Sequence, residues 1–261
     1  MTPLGAVLAA ALAGLATLVP SGDPSWPAVL GLGLLGGVLV LDDTALAQTW
    51  FSQPLPAAVL AGAVLGDPLS GLALGLPIQL IMAGNLPVGQ TFTGDPTSAV
   101  VASVGAAVLS GRSLSPALAA DTRLPVALIG WLVVAVGLAS MSGHLLVQAE
   151  RRAHNLWMRE GHRTLRDGRL QRVEAIHLRC LATTFLRGFA VTVVVLLVLR
   201  RVWLPLFGDL PTFVHGVLTM VPLLLPGLGL GNLAERYGLR TGWAWLAGGA
   251  ALSFGFARYV L

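Results

Sequence analysis

Residues 65–101, LGDPLSGLALGLPIQLIMAGNLPVGQTFTGDPTSAVV, set hydrogen-bonding side chains inside an otherwise apolar run. Asp67, Gln79, Asn85, Gln90, Thr91, Thr93 and Asp95 supply amides, hydroxyls and carboxylates. An amide donates and accepts at once, and a carboxylate accepts, so this inventory suits a hydroxyl-rich, uncharged ligand. No arginine occurs between Met1 and Gly111, which argues against a phosphate or carboxylate site in this stretch. A sugar fits the groups better than an anion does. The chain breakers lie beside them: Gly66-Asp67-Pro68 separates two short apolar runs, Pro77 is expected to break the chain again before Gln79, and Pro87 follows.

Every candidate has a second reading. Gln79 either recognises a sugar hydroxyl or makes an interhelical bond worth about 1 kcal/mol in a membrane. Asp67 either accepts from a hydroxyl or caps a half-helix starting near Pro68. Asn85, Gln90, Thr91 and Asp95 line a cavity or form a wet loop outside the membrane. Asp42, Asp43 and Gln48 follow an apolar segment, where a polar interfacial helix explains them as well as a binding role does; Asn232 is similar. Trp50, Trp157, Trp203, Trp243 and Trp245 flank apolar runs and read as interfacial anchors.

The elements that must hold these groups belong to a membrane protein. The 261 residues are 55% hydrophobic and 11% charged, with a mean hydropathy of +0.79. A soluble domain carries roughly a quarter charged residues. A crossing takes about twenty apolar residues, a length that 124–148 and 181–199 supply, with 4–20 and 213–231 close to it. The segments 27–41, 54–65, 69–84, 97–109 and 243–257 are too short or too interrupted to span alone. Non-helical backbone at membrane depth survives only where protein buries it or water reaches it. The expected fold is therefore all-α and polytopic, with broken or re-entrant helices. A weaker echo of the broken stretch, GVLTMVPLLLPGLGLGNLAE at 216–235, has Pro222 and Pro226 interrupting an apolar run that Asn232 and Glu235 close. Two such interrupted segments in corresponding halves point to inverted-topology repeats with a site between the breaks.

The organisation expected is a hydrophobic extension at 1–26, a first membrane half at 27–148, a basic connector at 149–179 and a second membrane half at 180–261. Residues 1–26 read as an added helix, or the true start lies downstream; no positive residue precedes Leu4, so a cleaved signal peptide fits poorly. Half of the sixteen arginines fall between Arg151 and Arg179, and no lysine occurs. The sequence pI of about 10.5 thus reflects a cytoplasmic loop obeying the positive-inside rule, not nucleic-acid binding. The connector is helix-forming, with Gly161 and Gly168 expected to divide it; it is a solvated linker, or a docking surface for a soluble partner or acidic lipid headgroups. Cys180, the single cysteine, excludes an internal disulfide. The five histidines lack metal-site spacing, so no metal or other cofactor is expected.

The segment GVLVLDDTALAQTWFSQPLPAAVLAGAVLGDPLSGLALGLPIQLIMAGNLPVGQTFTGDP resembles the membrane subunit IIC of the mannose–fructose–sorbose family of the bacterial sugar phosphotransferase system. Asp42, Pro54, Leu55, Gly66, Asp67, Gln79, Pro87, Val88, Gly89 and Asp95 fall on family positions, and the likeness continues loosely through the connector and residues 216–234. The resemblance implies a multi-pass protein of the bacterial inner membrane that pairs with a second membrane subunit, IID, as higher oligomers of IIC–IID pairs. Together they carry a hexose inward, to be phosphorylated by a soluble IIB subunit charged by IIA; IIC itself is not the phosphorylated subunit in this family, so the resemblance implies no catalytic residue in this chain. A non-transporting scaffold or sensor from an incomplete system, and an ion-coupled transporter using Asp67 or Asp95, are the alternatives.

Overall fold

The computed structural model describes residues 25–82, 94–115 and 123–238, with the isolated positions 243 and 247. Among them the chain is helical, without a strand. The apolar segment 4–20 and most of 243–257 lie outside the described residues. The helices are α1 (Trp26–Thr44), α2 (Pro54–Val64), α3 (Pro68–Met82), α4 (Pro96–Leu109), α5 (Arg123–Arg166), α6 (Leu170–Val198), a π turn (Leu199–Trp203) leading into α7 (Leu204–Gly208), and α8 (Thr212–Tyr237). Among the described residues, four helical runs are long and apolar enough to cross a membrane: Trp26–Asp43, Arg123–Arg166, Gln171–Gly208 and Thr212–Gly229. The three short helices between the first two are not. At the helical rise, α4 extends only about 21 Å against a hydrocarbon core of about 30 Å. Segment 27–41, expected to be too short, is long enough to span after all, because its helix carries on through Leu41, Asp42 and Asp43.

Proline placement explains where the short helices start. Pro54, Pro68 and Pro96 each occupy the first helical position, where the missing N–H costs nothing and the fixed φ is already helical. Gly66, at φ +80°, turns the chain from α2 into α3. The interior prolines behave differently from expectation. Pro77 lies within α3, and Pro222 and Pro226 lie within α8; none ends its helix. An interior proline removes one backbone bond, which surrounding helices can make tolerable in a membrane bundle. Among the described residues of 65–82, only the glycine-containing turn at 65–67 interrupts the helices.

Small residues bring the short helices together. On α3, Gly71 and Gly75 stand four apart, and a Cβ added at Gly71 would lie 2.2 Å from the Ala58 carbonyl oxygen of α2. This is the small-residue seam by which membrane helices approach without a hydrophobic driving force between them. α4 is apolar or small on all sides (Thr97 through Ala107 are all buried) and packs against α1, α2, α5 and α6, as a helix without a polar face must. The core joins Leu32, Leu74, Val101, Val104, Leu132 and Leu196 from five elements.

The contacts also orient the bundle. Gly188 of α6 lies against Val40 of α1, while Arg200 bonds Ser25 at the other end of the same pair. Trp131 of α5 stacks on Trp203 at 4.2 Å, and each indole N–H donates to the other residue's carbonyl oxygen, at 3.0 and 3.2 Å. The π turn thus sits at the end of the bundle remote from the connector.

The expected connector 149–179 is the distal part of α5 and the first turns of α6. Gly161 does not divide it: α5 is unbroken to Arg166, and the turn comes at Gly168, φ +72°. A mid-helix glycine costs only about 1 kcal/mol relative to alanine, and the hairpin's own contacts outweigh that. Arg179 lies 4.2 Å over the Trp157 ring, Arg172 pairs with Glu160 at 3.5 Å, and His154 Nε2 lies 3.1 Å from Thr183 Oγ1.

Candidate functional site

α3 carries two of the candidate residues at its two ends, about 18 Å apart at the helical rise. Asp67 stands at the end remote from the connector. Its Oδ1 accepts from Ser70 N–H at 3.0 Å, and its Oδ2 accepts from the hydroxyls of Ser70 at 2.6 Å and Ser113 at 3.1 Å. Ser70 Oγ in turn accepts from Leu114 N–H at 2.7 Å. This is the capping geometry that satisfies orphan N–H groups of a helix start. Burial opposes the Asp67 charge, but the hydrogen bonds from Ser70 and Ser113 outweigh it and hold the carboxyl below its ordinary value of 3.8.

Gln79 stands at the connector end. Its Oε1 accepts from Leu55 N–H of α2 at 3.2 Å, and its Nε2 donates to Gln53 Oε1 at 3.3 Å. Next to Gln53, Ser52 ties the candidate Asp42 to Thr97 at the start of α4. The Ser52 carbonyl accepts from Thr97 Oγ1 at 2.6 Å, and Ser52 N–H donates to Asp42 Oδ2 at 3.1 Å. Asp42 Oδ1 also takes the N–H and hydroxyl of Thr49, at 2.7 and 2.6 Å. Between these anchors Ala47, Gln48 and Trp50 adopt φ of 61°, 54° and 70°, a left-handed backbone that non-glycine residues adopt at a cost and that persists where the surroundings impose it. Asp42 is the anchor that imposes it here.

Asp95 completes this end. It repeats the Asp67 device one short helix later: Oδ1 accepts from Ser98 N–H and Oδ2 from Ser98 Oγ, both at 2.9 Å. Unlike Asp67, it also binds Arg187 of α6, whose Nη1 lies 2.5 Å from Oδ2. Arg187 Nε donates to Glu150 of α5, which also accepts from Thr184 and faces His154 at 3.6 Å. Asp95, Arg187 and Glu150 are 3%, 14% and 12% exposed, so three helices are fastened by one mostly desolvated ion-pair network. Asp95 N–H further donates to the Ser140 carbonyl at 3.3 Å.

The structure therefore gathers Asp42, Gln79 and Asp95 at one end and leaves Asp67 at the other. Asn85, Gln90 and Thr91 lie outside the described residues, and so does the Asn232 side chain. The backbone of α8 near Asn232 does reach the cluster: Gly229 abuts the Leu80 carbonyl, where a Cβ would come within 2.5 Å. Groups with spare hydrogen-bonding capacity are few. Gln79 retains one amide hydrogen, and the Gln53 amide nitrogen donates to no described residue. Ser140 Oγ is buried without a partner, although buried hydroxyls are satisfied as a rule. No group of histidine, cysteine and carboxylate side chains among the described residues could hold a metal.

Gln53, Ser140 and Arg187 were not singled out from the sequence. The absence of arginine before Gly111 argued against an anion site in the broken stretch, yet α6 brings Arg187 to Asp95 from 92 residues downstream. One signal was available: Gly66-Asp67-Pro68-Leu69-Ser70 and Gly94-Asp95-Pro96-Thr97-Ser98 share one capping pattern and differ only at the fourth residue.

Comparisons with known proteins agree with this architecture. A solved structure titled "Structure of membrane protein" superimposes with a TM-score of 0.69 at 17% identity, covering 91% of this chain and 94% of that one; at that identity it establishes the fold. A search of curated sequences gives no match. The family model described as "PTS system sorbose-specific iic component" matches residues 25–257. With four spanning runs, three short apolar helices and that match over most of its length, the chain belongs to the family of sorbose-type IIC components, multi-pass membrane subunits of sugar-transporting phosphotransferase systems.

Proposed function

We propose that the connector-end cluster binds the sugar and that this chain passes a hexose inward for phosphorylation by a soluble IIB partner, working with a IID subunit in the bacterial inner membrane. One observation carries the placement. The N-terminal ends of the half-helices α2 and α4 converge there with two half-buried amides that keep unused N–H groups and with the orphan Ser140 hydroxyl. Half-helix N-termini that meet within a membrane bundle are the transporter version of a ligand-binding helix end. In this reading Gln79 and Gln53 donate to sugar hydroxyls and Ser140 adds a further contact. Asp42 holds the 45–52 loop, and Asp95 fixes the start of α4. Asp67 is too distant to touch the same hexose and serves as a cap. Asn85, Gln90, Thr91 and Asn232 complete the proposed polar set around the cluster.

The arginine-rich hairpin lies on this side, so the positive-inside rule makes it the cytoplasmic side. A site near that face suits a substrate that is modified as it leaves. The inverted relation between the two halves expected from the sequence is kept as part of this proposal.

Gln79→Ala and Gln53→Ala should each lower uptake of the sugar about tenfold, in line with loss of one buried amide contact, at unchanged membrane abundance. Asp67→Asn should lower it far less. Wild-type uptake in the Gln53/Gln79 double alanine variant would remove the site. Uptake that survives loss of phosphoenolpyruvate but collapses with an uncoupler would replace group translocation by ion coupling.

A further inference from the structure

The hairpin formed by the end of α5 and the start of α6 has one face that nothing else among the described residues covers. α5 turns Glu150, His154, Trp157, Gly161 and Thr164 towards α6, as the pairs and packing described above show. The opposite face presents Asn155, Met158, Arg159, His162, Arg163 and Arg166, which line a recess of about 550 Å³. Their spacing of three and four residues puts them on one side of the helix. All six are exposed. Arg159, Arg163 and Arg166 have no carboxylate within ion-pair distance among the described residues. Beside them Met158 is 56% and Leu165 53% exposed. A solvated linker would be expected to carry polar groups here. Unpaired arginines beside exposed Met158 and Leu165 match the composition of protein interfaces, where arginine and methionine are enriched.

We propose that this face is the dock for a soluble protein whose contact surface is acidic around an apolar centre, and that the phosphoryl-carrying subunit of the same system is that protein. The partner's identity rests on the sugar-transport reading above; the acidic docking chemistry does not. Acidic lipid headgroups present the same charge but lie in the wrong place. Arg159 to Arg166 stand about 14–24 Å beyond Glu150 along an unbroken helix, whereas headgroup attraction fades within a Debye length of about 8 Å. The base of the arm is Glu150, joined through Arg187 to Asp95 at the start of α4. A protein seated on the arm would therefore stand directly over the cluster proposed to hold the sugar, where a phosphoryl donor must reach.

The test uses the full chain, with its membrane partner where it requires one, in phosphatidylcholine nanodiscs, titrated with the purified soluble phosphoryl-carrying subunit. The triple reversal Arg159→Glu/Arg163→Glu/Arg166→Glu should weaken binding at least about tenfold and flatten its salt dependence, as loss of steering charges does. Met158→Ala/Leu165→Ala should weaken it without changing the salt slope. Arg172→Glu, at the Glu160 pair outside the recess, is the control and should bind as wild type. Undiminished binding by the triple reversal overturns the dock, as does a loss equalled by Arg172→Glu or one seen only when phosphatidylglycerol replaces phosphatidylcholine. Sugar binding in the same nanodiscs separates the two readings: the triple reversal should retain it. If sugar binds and the subunit does not, the dock fails; if the subunit binds at the arginines and no sugar binds, the transport reading fails and the dock stands.

Discussion

Asp67 and Asp95 use the same cap, with a serine three residues on and a proline between, yet their surroundings give them different consequences. Asp95 also compensates Arg187, so Asp95→Ala removes both a cap and one partner of a mostly buried cation. Breaking such a pair typically costs about 3–5 kcal/mol; Arg187 keeps Glu150, which places the expected loss near about 3 kcal/mol. Asp95→Asn retains an oxygen for Ser98 and should lose clearly less. Thermal midpoints in detergent that are equal for the two variants would contradict this division. Asp67 lies in the α2–α3 turn, outside the four spanning helices, and its carboxyl is held below 3.8 by the Ser70 and Ser113 hydrogen bonds despite partial burial. A depressed folded-state value means that the stabilisation is complete above the unfolded value and is lost as pH falls through the folded one. Acidifying from about pH 6 to about pH 3 should therefore lower the wild-type midpoint more than that of Asp67→Asn, and parallel curves would exclude the effect.

The helices show why local breakers have to be read with their packing. Gly161 sits inside a continuous helix, and a Cβ there would meet Ile176 Cδ1 at 3.9 Å, an ordinary contact. Gly161→Ala should stabilise the hairpin by about 0.5–1 kcal/mol through helix propensity. Gly168, at φ +72°, makes the turn itself, and Gly168→Ala should cost about 1–2 kcal/mol because a Cβ crowds the carbonyl in that conformation. Opposite signs in thermal melts of the full chain are the expected result; the same sign for both would show that Gly161 is also strained. The prolines follow the same logic. At helix starts they define α2, α3 and α4, while at Pro77, Pro222 and Pro226 the neighbouring helices keep the element whole.

At the scale of the molecule, the two parts of the chain meet along the bundle rather than only through the hairpin. α6 packs against α1, α4 and α5, and Arg187 fastens α4 and α5 to it. The Asp167-Gly168-Arg169 turn is exposed at the tip of the arm. Trypsin applied to that side of membrane vesicles should cut after Arg169 and leave two fragments that migrate together in mild detergent and still bind sugar. Separation of the fragments would mean that the contacts between the halves are too weak to hold the site.

Composition and length alone determined that this is an all-helical membrane protein, because so few charges cannot cover a soluble surface. They also located the short helices, because proline and glycine act on the backbone where they stand. The capping alternative for Asp67 was legible for the same reason: a cap is made within four residues. What the sequence left open was which polar residues share a site, since that depends on which ends of which helices face one another. Asp67 and Gln79 look like neighbours along the chain, but one helix holds them at opposite ends. Arg187 looks remote from Asp95, but the packing of α4 against α6 places the two charges in contact at reduced polarity, where ion pairing is strong.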